Sequence, residues 1–269
     1  MTDYSKEHFG ATVRENFTIR QDRSAAFEHA QLSARTHLET RSLGHPDFED
    51  LEVGSKRSAD MIAVFLDLSN FTGRTFWDDP DVTADLADAV LSGFIETVSK
   101  FGGYPLGLRG DGLFAGFTPG PKDFTAVMAL GACAFALDAI EREVNPWLES
   151  QGLARLQARA GLDFGPITFI RTGSAHNNEI NPIGFAANFA AKCEKIANSW
   201  EVVAGQGLVG LLPDERHFLE HERSPKRYTR DHETRSYKFF QCRWRGIVPH
   251  LPGVIRALDG SPTSEVKTC

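Results

Sequence analysis

The sequence predicts an α+β fold, with helices packed on one face of a mostly antiparallel sheet. Three observations predict it. Met61 to Leu66 is a continuous apolar, partly β-branched run, the pattern of a buried strand. Residues 104–109 and 112–117 are two short strand patterns about Gly110-Asp111, a tight-turn signal. Helical spacing follows each strand region: Leu86, Val90, Leu91, Phe94 and Val98 within 82–100, then a long apolar stretch from Pro121 to Leu148 with proline in its first turn.

The elements follow in order. Residues 1–58 read as a helical extension and linker. Val13, Phe17, Ile19, Phe27, Leu32 and Leu38 are spaced among charges as in one or two amphipathic helices that need a partner surface. Gly44-His45-Pro46 stops them. The catalytic-sized domain spans 59–246. Its strand at 61–66 ends at Asp67, and Phe101-Gly102-Gly103 closes the helix over 82–100. Strands are expected at 156–163 and 166–171, then a polar loop from Thr172 to Asn181, a helix near 184–197 and a strand at 200–204. Residues 247–269 read as a Pro-, Ser- and Gly-bearing tail.

A chain of 269 residues with 29 Lys/Arg, 36 Asp/Glu and a net charge of −7 lacks the basic balance of a sequence-independent nucleic-acid binder. The first ten residues are charged and without an apolar core, unlike a secretory signal. The apolar stretch 126–137 is shorter than the roughly 20 residues that span a bilayer. Cys133, Cys193, Cys242 and Cys269 are scattered without a CxxC pair, as in a reduced, cytoplasmic protein. The expectation is a cytoplasmic protein with neither a membrane nor a nucleic-acid partner.

Two motif matches are weak. Gly205-Gln206-Gly207-Leu208-Val209-Gly210 is a literal G-x-G-x-x-G, but Pro213 cuts off the helix that a dinucleotide fold requires. His217-Phe218-Leu219-Glu220-His221 satisfies H-x-x-E-H, which on a helix aims two His at one zinc, but too little chain follows to supply a third ligand. A metallopeptidase is therefore disfavoured.

Two other signals are stronger in combination. Alone, Asp67 could cap a turn and Asp111 could be a favoured hairpin residue, with Gly110 and Asp111 both supplying positive φ. Together they form a hard-oxygen pair suited to Mg²⁺ or Mn²⁺. The polar run Ser69-Asn70-Phe71-Thr72-Gly73 after Asp67 can point backbone N–H groups at a triphosphate. Asn188 and Lys192 are i and i+4 on an Ala-rich helix. They are either two solvated polar positions or an amide and an ammonium placed to orient a ribose and neutralise a phosphoryl oxygen.

In order and spacing these pieces resemble the class III nucleotidyl cyclase catalytic domain. Phe65 to Thr72 matches its F-x-D-[IL]-x-x-F-T, Gly110 to Phe117 its G-D-x-x-x-A-x-F, Arg159 to Gly165 its R-x-G-[IL]-x-x-G, and Asn188 to Lys192 its N-x-x-x-R helix. The resemblance covers roughly 60–245. It implies a ferredoxin-like antiparallel sheet with packed helices and a head-to-tail homodimer with two complete sites. It also implies two divalent metal ions, Mn²⁺ or Mg²⁺, on Asp67, Asp111 and the Leu68 carbonyl. Asn188 then orients the ribose and Lys192 stands where the family usually has the transition-state Arg. Phe65, Ser69, Asn70, Phe71, Thr72, Arg109 and Asn181 become substrate-binding positions.

The purine cyclases read their base with Lys and Asp or Thr, or with Glu and Cys; the matching positions here are Gly107 and Asn181, so neither purine code is present. Tyr104 and Arg109 flank the site and can fill or narrow it, and an amide such as Asn181 suits a pyrimidine edge. With the N-terminal extension and the run Asn181-Pro182-Ile183-Gly184 to Glu194, the chain looks like the pyrimidine (uridylate or cytidylate) cyclases of bacterial antiphage defence. That resemblance implies UTP as the favoured substrate, CTP as the alternative, and cyclic UMP as a signal to a separate cyclic-nucleotide-responsive effector. A cyclase-like module that only binds nucleotide is the competing reading.

Overall fold

The structure is a computed structural model that describes residues 4–21, 43–118, 120–251 and 254. In chain order the elements are α1 (Lys6–Gln21), β1 (Lys56–Leu68), α2 (Phe71–Trp77), α3 (Pro80–Lys100), β2 (Tyr104–Arg109), β3 (Gly112–Phe117) and α4 (Lys122–Ala139). A π-helical turn at Ile140–Val144 carries α4 into α5 (Asn145–Ser150). Next come β4 (Ala158–Gly173), β5 (Asn178–Ile183), α6 (Phe185–Ile196), β6 (Val202–Gly205), α7 (Gln206–Val209), β7 (Phe218–Glu220), β8 (Lys226–Arg230), β9 (Glu233–Tyr237) and β10 (Phe239–Cys242).

The main sheet runs β2-β3-β1-β4-β6-β10-β7, with β5 joined to the far half of β4; β8 and β9 form a separate hairpin. All its ladders are antiparallel except β4–β6, which is parallel and bridged by α6. The sheet is thus mostly antiparallel, as expected, but mixed: the crossover through α6 returns the chain in the same direction and makes this pair parallel.

Helices cover both faces, not one. Along β1 the side chains alternate. Ile62, Val64, Leu66 and Leu68 join the large core built with α1, α3 and α4, whereas Met61 and Ala63 join a second core with Ala186, Ala187 and Ala190 of α6. The Ala-rich helix lies close to β4: a Cβ added at Gly161 would fall 2.1 Å from the Glu194 nitrogen and 2.3 Å from the Ala190 oxygen. Only glycine accommodates that approach.

The two strands expected around Gly165-Pro166 are one strand of 16 residues, β4. Pro166 sits in the gap between the β6 ladder, which ends at Leu162, and the β5 ladder, which begins at Thr168, so its missing N–H interrupts no pairing there. The second half of the expected loop at 172–181 is β5, held to β4 from Thr168 to Gly173. The linker region contains a 3-10 turn at Pro46–Phe48 and the first residues of β1.

The N-terminal helix begins earlier than its apolar spacing suggests. It packs Phe9, Val13 and Phe17 into the main core and ties Lys6 to the buried Asp138 at 2.6 Å. The part of the expected helical extension from residue 22 to residue 42 lies outside the described residues, as does most of the tail; Leu251, which is described, is buried. The helix from α4 to α5 is long and apolar enough by composition to cross a membrane, but nearly every residue of α4 is buried in the core.

Candidate active site

Alternation along β1 places Phe65 and Asp67 on the α6 side of the sheet. Asp67 pairs with Gly112 of β3 on one side and with Arg159 of β4 on the other. A Cβ at Gly112 would lie 2.8 Å from Asp67 Oδ1, so glycine leaves room for the carboxylate. Asp111 precedes it at the β2–β3 turn, where its carbonyl accepts the Leu68 N–H at 3.4 Å. Gly110 alone meets the left-handed demand of this turn, at φ +63°; Asp111 does not share it, contrary to the sequence expectation.

The two carboxylates therefore line one cleft of about 480 Å³, together with Phe65, Leu68, Asn70, Phe71, Thr72 and Arg109. Burial, and then the charge of Asp67, raises the Asp111 carboxyl above its usual range. Phe65 stacks on Phe114 at 4.7 Å between centroids. Asn70 takes φ +60° and caps α2 without a side-chain bond, its amide donating instead to Gln157 Oε1 at 3.1 Å. The first-turn N–H groups of α2 thus have no side-chain cap at the cleft edge. Ser69 lies beneath this edge: its N–H donates to the Gln157 carbonyl at 2.8 Å and its hydroxyl is buried.

The other expected residues lie elsewhere. Asn188 and Lys192 are exposed on the outer side of α6, where the Lys192 ammonium donates to the Tyr228 hydroxyl at 3.1 Å. Asn181 is exposed on β5 opposite Ile170, and Gly107 faces Phe114 in β2. Neither lines the carboxylate cleft. Tyr104 does not fill it either: its ring packs on His45 at 4.1 Å, beside the segment that precedes β1.

Two cleft residues were quoted in sequence motifs but assigned no role. Arg159 donates to Asp67 Oδ2 through Nε at 3.1 Å and Nη2 at 2.9 Å, and its Nη2 lies 2.6 Å from Glu194 Oε1. Burial, then the Asp67 charge, pushes the Glu194 carboxyl up to about 7. The R-x-G motif marks Arg159, but only strand register reveals that it meets Asp67.

Both weak motifs resolve structurally. Where a dinucleotide fold would seat pyrophosphate, the N–H of Leu208 points to the buried Asp163 carboxylate at 3.3 Å and that of Gly207 to the Tyr237 hydroxyl at 3.0 Å. Residues 218–220 are a strand, so His217 and His221 do not share a helical face; His221 is buried, 3.9 Å from Glu201.

Among the described residues no group of three or more His, Cys, Asp or Glu is arranged to hold a metal. Two carboxylates lining one half-buried cleft, with Asp111 raised by burial and by the Asp67 charge, nevertheless fit a hard cation such as Mg²⁺, which commonly uses one or two carboxylates plus substrate phosphates.

No protein-family model matches the chain. A cytidylate cyclase of Escherichia coli is 22% identical over 228 residues, which is 77% of this chain and 49% of that protein. A uridylate cyclase of Rhodovulum sp. (strain MB263) is 26% identical over 140 residues, 49% of this chain and 57% of that protein. The chain spans about half the length of the curated relatives it matches. The solved adenylyl cyclase CyaB from P. aeruginosa superposes with a TM-score of 0.59 at 20% identity, over 70% of this chain and 95% of that one. The fold is that of the class III cyclases. The carboxylate cleft lies among β1, β3, β4, α2 and the C-terminal half of α6, and the amide–ammonium pair lies on the outer side of α6.

Proposed function

We propose that the chain is a pyrimidine nucleotide cyclase that converts UTP to 3′,5′-cyclic UMP and pyrophosphate. The convergence of Asp67 and Asp111 in one cleft carries this reading, and the resemblance to cytidylate and uridylate cyclases supports its pyrimidine class. Asp67, Asp111 and the Leu68 carbonyl would hold two divalent cations, Mn²⁺ or Mg²⁺, which when bound acidify the 3′-hydroxyl and offset triphosphate charge. Asn188 orients the ribose. Lys192 counters charge growing at the α-phosphate, keeping the cation but not the planar fork of an arginine. The O3′–Pα bond forms in line as the bond from Pα to the pyrophosphate oxygen breaks, and the hydroxyl proton passes to solvent.

One chain presents these groups as two separated halves. A head-to-tail homodimer joins each cleft to the partner's α6 and completes two sites. Exposed aromatic rings accompany both halves, Phe76 and Trp77 at the far end of α2 and Phe185 and Tyr228 beside Lys192, surface that such an interface covers.

Arg109 at the cleft can only donate, which suits the O4 carbonyl of uracil and not the amine of cytosine. CTP is the second reading, because the match to a cytidylate cyclase runs over more of the chain. The cyclic nucleotide then acts as a cytoplasmic antiphage signal to a separate effector, without membrane or nucleic-acid contact.

Incubation with each of the four triphosphates and Mn²⁺, followed by product mass, tests this. Cyclic UMP is expected. Cyclic CMP selects the second reading, a cyclic purine overturns the pyrimidine assignment, and binding without any product leaves a nucleotide sensor.

A further inference from the structure

We infer that Arg159, paired to Glu194, forms a clamp that positions Asp67 for metal binding, an inference that rests on the cyclase reading. The geometry is specific. Nε and Nη2 of Arg159 both donate to the same oxygen of Asp67, Oδ2. The other oxygen, Oδ1, lies over Gly112, next in the chain to Asp111. One carboxylate oxygen is thus engaged and the other is left toward the second acid.

Arg159 is itself fixed at three points. It is paired to Asp67, its Nη2 is 2.6 Å from Glu194 Oε1, and its Nη1 donates to the Ala197 carbonyl at 3.4 Å. Glu194 and Ala197 belong to the C-terminal end of α6, so the guanidinium bolts that helix end to β1. All three side chains are largely shielded from water, with Glu194 9%, Asp67 18% and Arg159 26% exposed. At that depth charge matters. Arg159 facing Asp67 alone would cancel the carboxylate a cation needs, and Glu194 facing Asp67 alone would repel it. With both present, Glu194 offsets part of the Arg159 charge, so the two hydrogen bonds to Oδ2 hold Asp67 in one orientation without cancelling its attraction for a cation. Arg159 and Glu194 are therefore positioning residues, acting through Asp67.

The clamp makes predictions of opposite sign, which a merely structural ion pair does not. Mn²⁺ binding to the full chain, measured by electron paramagnetic resonance without nucleotide, is the readout. Glu194→Gln leaves Arg159 uncompensated and should weaken Mn²⁺ binding about tenfold. Arg159→Gln leaves Glu194 uncompensated and should tighten Mn²⁺ binding while kcat with the accepted triphosphate falls, because Asp67 is no longer held. The double variant should return Mn²⁺ affinity to within about threefold of the parent, since the two charges leave together, but should keep the low kcat. Shifts of the same sign in both single variants, or no recovery in the double variant, overturn the clamp. If Arg159→Gln fails to fold, Glu194→Gln, nearly isosteric, decides alone: unchanged Mn²⁺ affinity overturns the inference. Asp111→Asn separates this from the parent reading. A wild-type chain that binds no Mn²⁺, or binds it undiminished in Asp111→Asn, overturns the cyclase assignment and the clamp with it. Binding lost in Asp111→Asn but indifferent to Glu194→Gln overturns the clamp only.

Discussion

The carboxylate cleft and the outer side of α6 are built in opposite ways. Asp67 sits within a central strand, flanked by ladders on both sides and gripped by Arg159, and Asp111 is tied to it through the turn of the neighbouring hairpin. Asn188 and Lys192 stand on an exposed helical surface, where Lys192 meets Tyr228 of the β8–β9 hairpin. Acidic groups that must converge at a few ångströms need the rigidity of a sheet. In the dimer proposed above, the cation that meets charge developing on the substrate is delivered from a surface that the other subunit seats.

The largest expected effect breaks the rigid half. Asp111→Ala or Asp67→Ala should abolish cyclic nucleotide formation, a loss well beyond 10³, with circular dichroism unchanged. Near-normal turnover in either variant contradicts the metal assignment. On the delivered half, Lys192→Ala should cost on the order of 10²–10³ in kcat, while Lys192→Arg retains part of the rate. Equal losses in the two would mean that position 192 serves packing beside Tyr228. Mixing inactive Asp111→Ala with inactive Lys192→Ala sharpens the comparison: random exchange of subunits should restore about a quarter of the wild-type sites. Restoration of none would place both halves of the site within one chain.

The smallest expected effect is on stability. Burial lifts Asp163 from its ordinary 3.8 to about 7, despite bonds from Tyr237 and Leu208. Its folded pKa exceeds its unfolded one, so its contribution is full below about pH 4 and is lost as pH rises through about 7. Glu194 works in the same direction. The melting temperature should fall by about 2–4 °C or more between pH 5 and 8, and Asp163→Asn should flatten that slope.

Much of this was legible in the sequence. The hairpin at 104–117 was readable to the residue, because alternation, a Gly-Asp turn and a following helix signal all agree there. The Asp67–Asp111 pair was readable because each acid closes an apolar strand pattern. Register was not: no local signal shows that Arg159 pairs with Asp67, or that Pro166 falls in a gap between two ladders. Nor was the second helical face, since the Ala-rich α6 carries too little apolar bulk to advertise the core that it covers. Tyr104 was misplaced because its partner, His45, lies in a segment whose path over β2 only tertiary structure defines.

The length of β4 has one last consequence. At roughly 3.3 Å per residue its 16 residues form a bar about 50 Å long, with Arg159 near one end, Asp163 along it and Arg171 toward the other. Removing a single residue from its middle would invert every side chain beyond the cut, turning one end or the other away from its partners. The stretch 174–177 that joins β4 to β5 carries no such ruler. Natural variation in chain length should therefore collect there and be purged from the bar.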